Sequence, residues 1–487
     1  MREIYEALRR RALKARDQLV FSDDADSLSQ EELLSRAGAL ARELPSGVNT
    51  IGILAANGVD WAAAQIMGFS SGKTVVPLPP FFSPEQLTHI VCDANVELIL
   101  CSDGMRPLAA ASGIATRAIK TAQRAAPIEF AEGFKQIIYT SGSTGQPKGV
   151  RLGARQIGWS TKALAEASEA SSRDSYLSIL PLALLLETIC AIFVPLLVGG
   201  RAHFSNESAK IFVAGQAPSV ATAFERARPT SGVLVPQLLG AWVQELTATG
   251  KRAPESLRFV AVGGGSAPEA LVEAAWALGI PVFEGYGLSE CCSVVALNRP
   301  GARKSGSVGP ALPGLDVSIN QGEIVVEGPS VMDGYLGGAE ADRVWRTGDL
   351  GAIDADGYLT VHGRKDNLLV TALGRNVSPE WIETLLLSDS RIGLCMVFGH
   401  GESHLTALLA PSAAGGEWFS KAKRDEVLEL ISRCCAGAPS YAVPQDCVVL
   451  SPQEIVRLGL LTSNGRFRRK EGAAYFKAAR SDEIPET

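Results

Sequence analysis

The chain has 487 residues, too many for one ordinary hydrophobic core, so two or more domains are expected. Apolar residues make up 46% and charged residues 20%, a globular composition, and the formal charge of −6 comes without a basic stripe interleaved with aromatics, which excludes an ordinary nucleic-acid binder. The nine cysteines are odd in number, include two adjacent pairs (Cys291–Cys292 and Cys434–Cys435) and show no CxxC spacing, so they read as reduced thiols in a cytoplasmic protein.

The opening segment, MREIYEALRRRALKARD, reads as a charged amphipathic helix without the apolar core of a signal peptide. Thr50–Ala55 reads as a strand, Val59–Ser71 as a helix and Thr74–Leu78 as a strand. Ser83–Asp93 reads as a helix opened by Ser-Pro-Glu, and Val96–Cys101 as a further strand. This alternation predicts parallel sheets flanked by helices. Leu177–Gly200 approaches the length of a membrane span, but Glu187, Pro181 and Pro195 interrupt it. A buried strand followed by a buried helix is expected there instead. The pattern resumes with strand Leu257–Val262, helix Glu269–Leu278 and strand Pro281–Glu284.

From Gly301 to Gly363 the texture changes to short alternating segments, such as Glu323–Glu327, that predict antiparallel strands in a small barrel-like subdomain. Beyond Asn367, strands at 368–371, 393–399 and 405–409 and helices at 379–387 and 423–435 predict a small α+β unit. The expected division is a large α/β domain at 1–363, a charged hinge at 364–366 and a small mobile C-terminal domain at 367–487.

The string YTSGSTGQPKGV at 139–150 carries the first chemistry. Gly142, Gly145 and Gly149 let backbone amides face an anion without a Cβ in the way. Thr140, Ser141, Ser143 and Thr144 add hydroxyls, and Lys148 adds a mobile cation. Such a loop suits nucleotide phosphates. It is not a Walker loop, because Gly149 stands where that motif needs a magnesium-binding hydroxyl.

This string resembles the signature of the adenylate-forming superfamily, which includes acyl-CoA synthetases. LPL at 180–182, GGGSAP at 263–268, GYGLSE at 285–290, RTGDLG at 346–351 and GRKD at 363–366 follow in that family's order, so the resemblance covers nearly the whole chain. It implies ATP-dependent activation of an apolar carboxylic acid, medium- or long-chain fatty or aryl, as an acyl-adenylate, then transfer to coenzyme A, most like the fatty acid–CoA ligases. The cofactors implied are ATP, Mg2+ and coenzyme A; an acyl carrier protein's phosphopantetheine is the alternative acceptor. A third reading, of another class, is a catalytically weakened nucleotide-binding regulatory module. No nucleic-acid partner and no membrane span are expected.

Residue by residue, the resemblance assigns the phosphates to Thr140, Ser141, Gly142, Ser143, Thr144, Gly145 and Lys148. It assigns Mg2+ to Glu290 and Thr144. Gly263, Gly264, Gly265, Ser266, Ala267 and Pro268 would form one wall of the adenine site, with Tyr286, Gly287 and Ser289 opposite. Asp349 would hold the ribose hydroxyls and Arg364 would assist. Asp366 would be the hinge, and Gly374 would line the thiol tunnel. Without the resemblance the plainer readings are a packed tyrosine for Tyr286, a helix-start acid for Glu290, a turn aspartate for Asp349, a surface acid for Asp366 and a hairpin glycine for Gly374.

Two departures stand out. LPLAL places Leu184 where the family carries an aromatic residue or histidine, leaving Leu184, Leu185, Leu186 and Ile189 as an aliphatic wall for the acid, with Glu187 beside it as in long-chain enzymes. An apolar acid gains about 0.8 kcal/mol per buried CH2 against such a wall. At 462–470 the chain reads TSNGRFRRK, so Arg466 replaces the family's catalytic lysine. Arginine keeps the charge but presents a larger, planar fork.

Overall fold

A computed structural model describes residues 1–119, 125–140, 147–213, 219–372, 374–412, 414–461, 467–469 and 471–475. The expected alternation folds into a six-stranded sheet in the order Thr116–Ala118, Leu98–Cys101, Thr50–Leu54, Thr74–Pro77, Lys135–Thr140, Lys148–Gly153. All neighbours are parallel except the last two, which form an antiparallel hairpin pairing Thr140 with Lys148. Ser83 caps helix Pro84–Asp93 as its sequence predicts: its Oγ accepts from Gln86 N at 3.2 Å, and Gln86 Oε1 accepts from Ser83 N at 3.0 Å.

The second sheet has eight strands in the order Ser293–Leu297, Val282–Leu288, Phe259–Val262, Ser231–Leu234, Ser175–Ser178, Arg201–Phe204, Leu19–Asp23, Ser27–Ser29. Its interior is parallel and only the two edge strands run antiparallel. The apolar run at 177–200 is a strand end, then helix Leu185–Thr188, a π-turn at Ile189–Phe193 and helix Val194–Val198. Among the described residues, no helix is long and apolar enough to cross a membrane. None of the nine cysteines is in a disulfide.

The region expected to be barrel-like is a four-stranded antiparallel meander: Asp316–Asn320, Glu323–Glu327, Val344–Ile353 and Leu359–Arg364. The expected hinge at 364–366 starts where the last of these strands ends and a 3-10 turn, Lys365–Asn367, begins. Gly363 has φ +138°, and a Cβ there would run into Ser378 Oγ, so only glycine lets the chain pass so close to the next unit. Beyond it, helices Pro379–Leu386 and Arg424–Cys434 pack on a three-stranded sheet, Ile392–Phe398, Thr406–Pro411 and Asp446–Val449. The last strand, parallel to its neighbour, was not apparent from its sequence pattern. This unit has its own buried cluster around Ile382, Leu405, Leu409 and Ile431, separate from the main core around Trp61, Phe193 and Trp242.

Candidate active site

The parallel strands of the large sheet end in glycine-rich turns, and these turns meet at one mouth of a cavity of about 570 Å3. Gly263 and Gly264 follow strand Phe259–Val262, and Gly264 has φ +76°. Tyr286, Gly287 and Ser289 come from strand Val282–Leu288 and the 3-10 turn after it. All five line the cavity. Gly287 sits at a register shift against strand Ser293–Leu297, where a Cβ would collide with the Ser293 carbonyl. Gly265, Ser266, Ala267 and Pro268 do not line the cavity; they lead into helix Glu269–Ala277, with Pro268 at its N-cap.

Beside this mouth, Asp349 and Arg364 face each other across two paired strands of the meander. Asp349 is buried; its Oδ1 accepts from Arg364 Nη1 at 2.9 Å and its Oδ2 from the Tyr286 hydroxyl at 2.5 Å. Burial, then the Asp349 charge, pushes the Tyr286 phenol far up, so it stays a donor. Burial alone would lower Arg364, but Asp349 beside it outweighs that and raises it.

Lys148 opens the second hairpin strand, and Thr140 closes the first. Ser141, Gly142, Ser143, Thr144 and Gly145 lie outside the described residues, as does Arg466. Lys148 Nζ sits 5.8 Å from the ring centroid of Tyr335, whose hydroxyl donates to Glu290 Oε1 at 2.7 Å. Tyr335 thus joins two expected site residues that are far apart in the chain. Backbone bonds place it there: Arg151 N donates to Gly334 O at 3.0 Å and Leu336 N to Gly149 O at 2.7 Å, laying 334–336 along the Lys148 strand. Its surrounding string, MDGYL, carried no recognisable signal. Burial and Glu290 push the Tyr335 phenol up, keeping it protonated.

Leu184, Leu185 and Leu186 line the cavity as the sequence suggests. Ile189 does not. It is fully buried in the main core, and Cys190 takes the lining position because the π-turn rotates the helix face. Glu187 is buried behind the wall, accepting from the Tyr176 hydroxyl at 3.0 Å, and burial pushes its carboxyl up to about 8.

Asp366 is exposed in the 3-10 turn. Gly374 is exposed, at φ +72°, between the short paired strands Leu369–Val370 and Asn376–Val377, and nothing lies within 4 Å of where its Cβ would be. Leu461 and Phe467 form a bridge that flanks 462–466, and Leu461 lines the cavity. Arg469, part of the basic cluster near the C-terminal end, is spent on a bidentate ion pair with Glu383 at 2.8 and 2.5 Å.

Two α/β sheets with a glycine-lined cavity mouth and an adjoining carboxylate–guanidinium pair agree with the adenylate-forming architecture that the sequence motifs resemble. A family model described as AMP-binding enzyme matches residues 8–336, and one described as AMP-binding enzyme C-terminal domain matches 366–479; the chain belongs to this family. The malonate–CoA ligase of Arabidopsis thaliana is 29% identical over 452 residues, covering 81% of this chain and 73% of that protein. The 2-succinylbenzoate–CoA ligase of Geobacillus sp. (strain WCH70) is 30% identical over 338 residues, 63% of each, so the chain spans less than two thirds of that relative. The solved O-succinylbenzoate coenzyme A synthetase of Bacillus subtilis, in complex with AMP, is similar with a TM-score of 0.79 at 24% identity, covering 95% of this chain and 97% of that one. That likeness bears on the fold, and the α/β architecture expected from the sequence agrees with it.

Proposed function

We propose that the protein is an AMP-forming acid–thiol ligase that joins an apolar carboxylic acid, fatty or aryl, to coenzyme A through an acyl-adenylate. The observation that carries this reading is the apolar cavity behind Leu184–Leu186 opening at Gly263, Gly264 and Tyr286, next to the Asp349–Arg364 pair. A nucleotide and an acid would meet at that mouth.

In this reading Asp349 accepts from both ribose hydroxyls, and Tyr286 flanks the base. Lys148 and the hydroxyl loop from Thr140 take the phosphates. Mg2+ would be held by Glu290, whose carboxylate the Tyr335 hydroxyl orients, together with substrate phosphate oxygens, where it would neutralise charge. The acid's carboxylate oxygen bonds to the α-phosphorus as the bond to pyrophosphate breaks. The chain's work is positioning and charge neutralisation by Lys148, the loop amides and Arg466. The thiol sulfur, giving up its proton to solvent, then bonds to the acyl carbon as the bond from that carbon to the phosphate oxygen breaks, and AMP leaves. Asp366 is the pivot proposed for bringing Gly374 toward the cavity between the two steps.

An AMP-release screen over fatty, aryl and amino acids, with and without coenzyme A, tests this. Release with an apolar acid that depends on the thiol is expected. No release with any acid would sink the reading.

A further inference from the structure

Helix Pro84–Asp93 has no part in the site described above, yet two of its side chains, one turn apart, reach the two stems of the hairpin that carries Lys148. On the entry stem, Asp93 Oδ2 accepts from the Tyr139 hydroxyl at 2.6 Å. On the exit stem, His89 Nε2 donates to the Pro147 carbonyl at 3.1 Å. A carbonyl can only accept, so that ring nitrogen carries a proton. The His89 ring also stands edge-on to the Tyr139 ring, with 6.5 Å between centroids. The helix is a firm base: Leu87, Ile90 and Val91 are buried in one cluster with Tyr139, and Ser83 caps its start.

The residues themselves explain why the exit stem needs an outside partner. The paired ladder ends at Thr140 and Lys148. Pro147 has no N–H, so its carbonyl is the only backbone group it can offer. That carbonyl carbon is bonded to Lys148 N, so His89 fixes the peptide plane from which Lys148 starts. On the other side of Lys148, a Cβ on Gly149 would stand 3.1 Å from the Tyr139 ring, so the phenol held by Asp93 covers that glycine. Lys148 itself is exposed, on a flexible four-carbon stem, so its backbone decides what the amine can reach.

We propose that His89 and Asp93 are positioning residues for Lys148, clamping the two hairpin stems so that its amine is aimed at the outer phosphates of the nucleotide. This rests on the acid-activation reading above. AMP has no outer phosphates, so opening the clamp should weaken ATP and spare AMP. A general loosening of the domain would weaken both alike and lower the melting temperature.

The experiment is calorimetric binding of ATP and of AMP, with Mg2+ and no acid, to the full chain as wild type, His89→Phe, His89→Gln and Tyr139→Phe, each with its melting temperature. Phenylalanine at 89 keeps a ring and drops the N–H, whereas glutamine can put an N–H close to where Nε2 stands. Tyr139→Phe keeps the packed ring and leaves exposed Asp93 to water. His89→Phe and Tyr139→Phe should each weaken ATP roughly threefold to tenfold, the worth of one hydrogen bond, with AMP unchanged. His89→Gln should recover most of the ATP affinity. Unchanged ATP affinity in both phenylalanine variants, equal losses for ATP and AMP, or no recovery with glutamine would overturn the clamp while leaving the acid-activation reading in place. Wild type that binds neither nucleotide would refute that reading, and the clamp with it.

Discussion

Replacing Asp349 with asparagine removes one charge from a buried position that faces two donors. The carboxylate accepts from Arg364 Nη1 at 2.9 Å and from the Tyr286 hydroxyl at 2.5 Å. An asparagine has one oxygen, so one donor is left facing an amide N–H. Hydrogen bonds to charged groups are worth about 1.5–3 kcal/mol each. The Arg364 side chain is 47% exposed and water replaces much of its share, so the fold should lose only about 2 kcal/mol, mostly at Tyr286. The ribose would lose its charged acceptor as well, another 1.5–3 kcal/mol or so, which is roughly a 10- to 150-fold rise in KM for ATP. ATP–pyrophosphate exchange, titrated with ATP at saturating acid, separates the two effects. If Asp349→Asn melts earlier but keeps the wild-type KM for ATP, Asp349 is a structural turn residue and the ribose assignment is wrong.

Four further outcomes follow from the same geometry. Tyr335→Phe should lower exchange activity about tenfold through the lost bond to Glu290, with a matching rise in the Mg2+ needed; a changed melting temperature with normal exchange would make Tyr335 a packing residue only. Glu187 is raised from the ordinary 4.5 to about 8 in the folded state, so its contribution to stability is complete below pH 4.5 and is lost as pH rises toward 8. Thermal melts across that window should therefore decline more steeply for wild type than for Glu187→Gln. Arg469→Ala leaves the largely buried Glu383 carboxylate without its counter-charge, with only the Val397 N–H still donating to it, and should cost about 3 kcal/mol in urea unfolding, whereas Arg469→Lys should recover part of it. Arg466→Ala should abolish most pyrophosphate exchange, and undiminished exchange would deny Arg466 a catalytic role.

The sequence by itself determined a good deal here. Strand and helix alternation, the Ser83 capping box and the strand–turn–helix at Phe259–Ala277 were legible because each is decided within a few residues. The order of the glycine- and hydroxyl-rich strings was legible for the same reason. Tyr335 was not: its role comes from backbone pairing with the Lys148 strand and a hydroxyl reaching Glu290, contacts with no local sequence signature. Ile189 was placed on the wrong side because an apolar run does not reveal its own rotation, and a π-turn moved Cys190 to the cavity instead. Nor does the string at 462–470 show that Arg469 closes on Glu383, a contact between residues far apart in the chain. Residue types and their spacing were enough to point to the family, since those are local properties. Which side chains face one another depended on strand register and helix rotation, which only the folded chain sets.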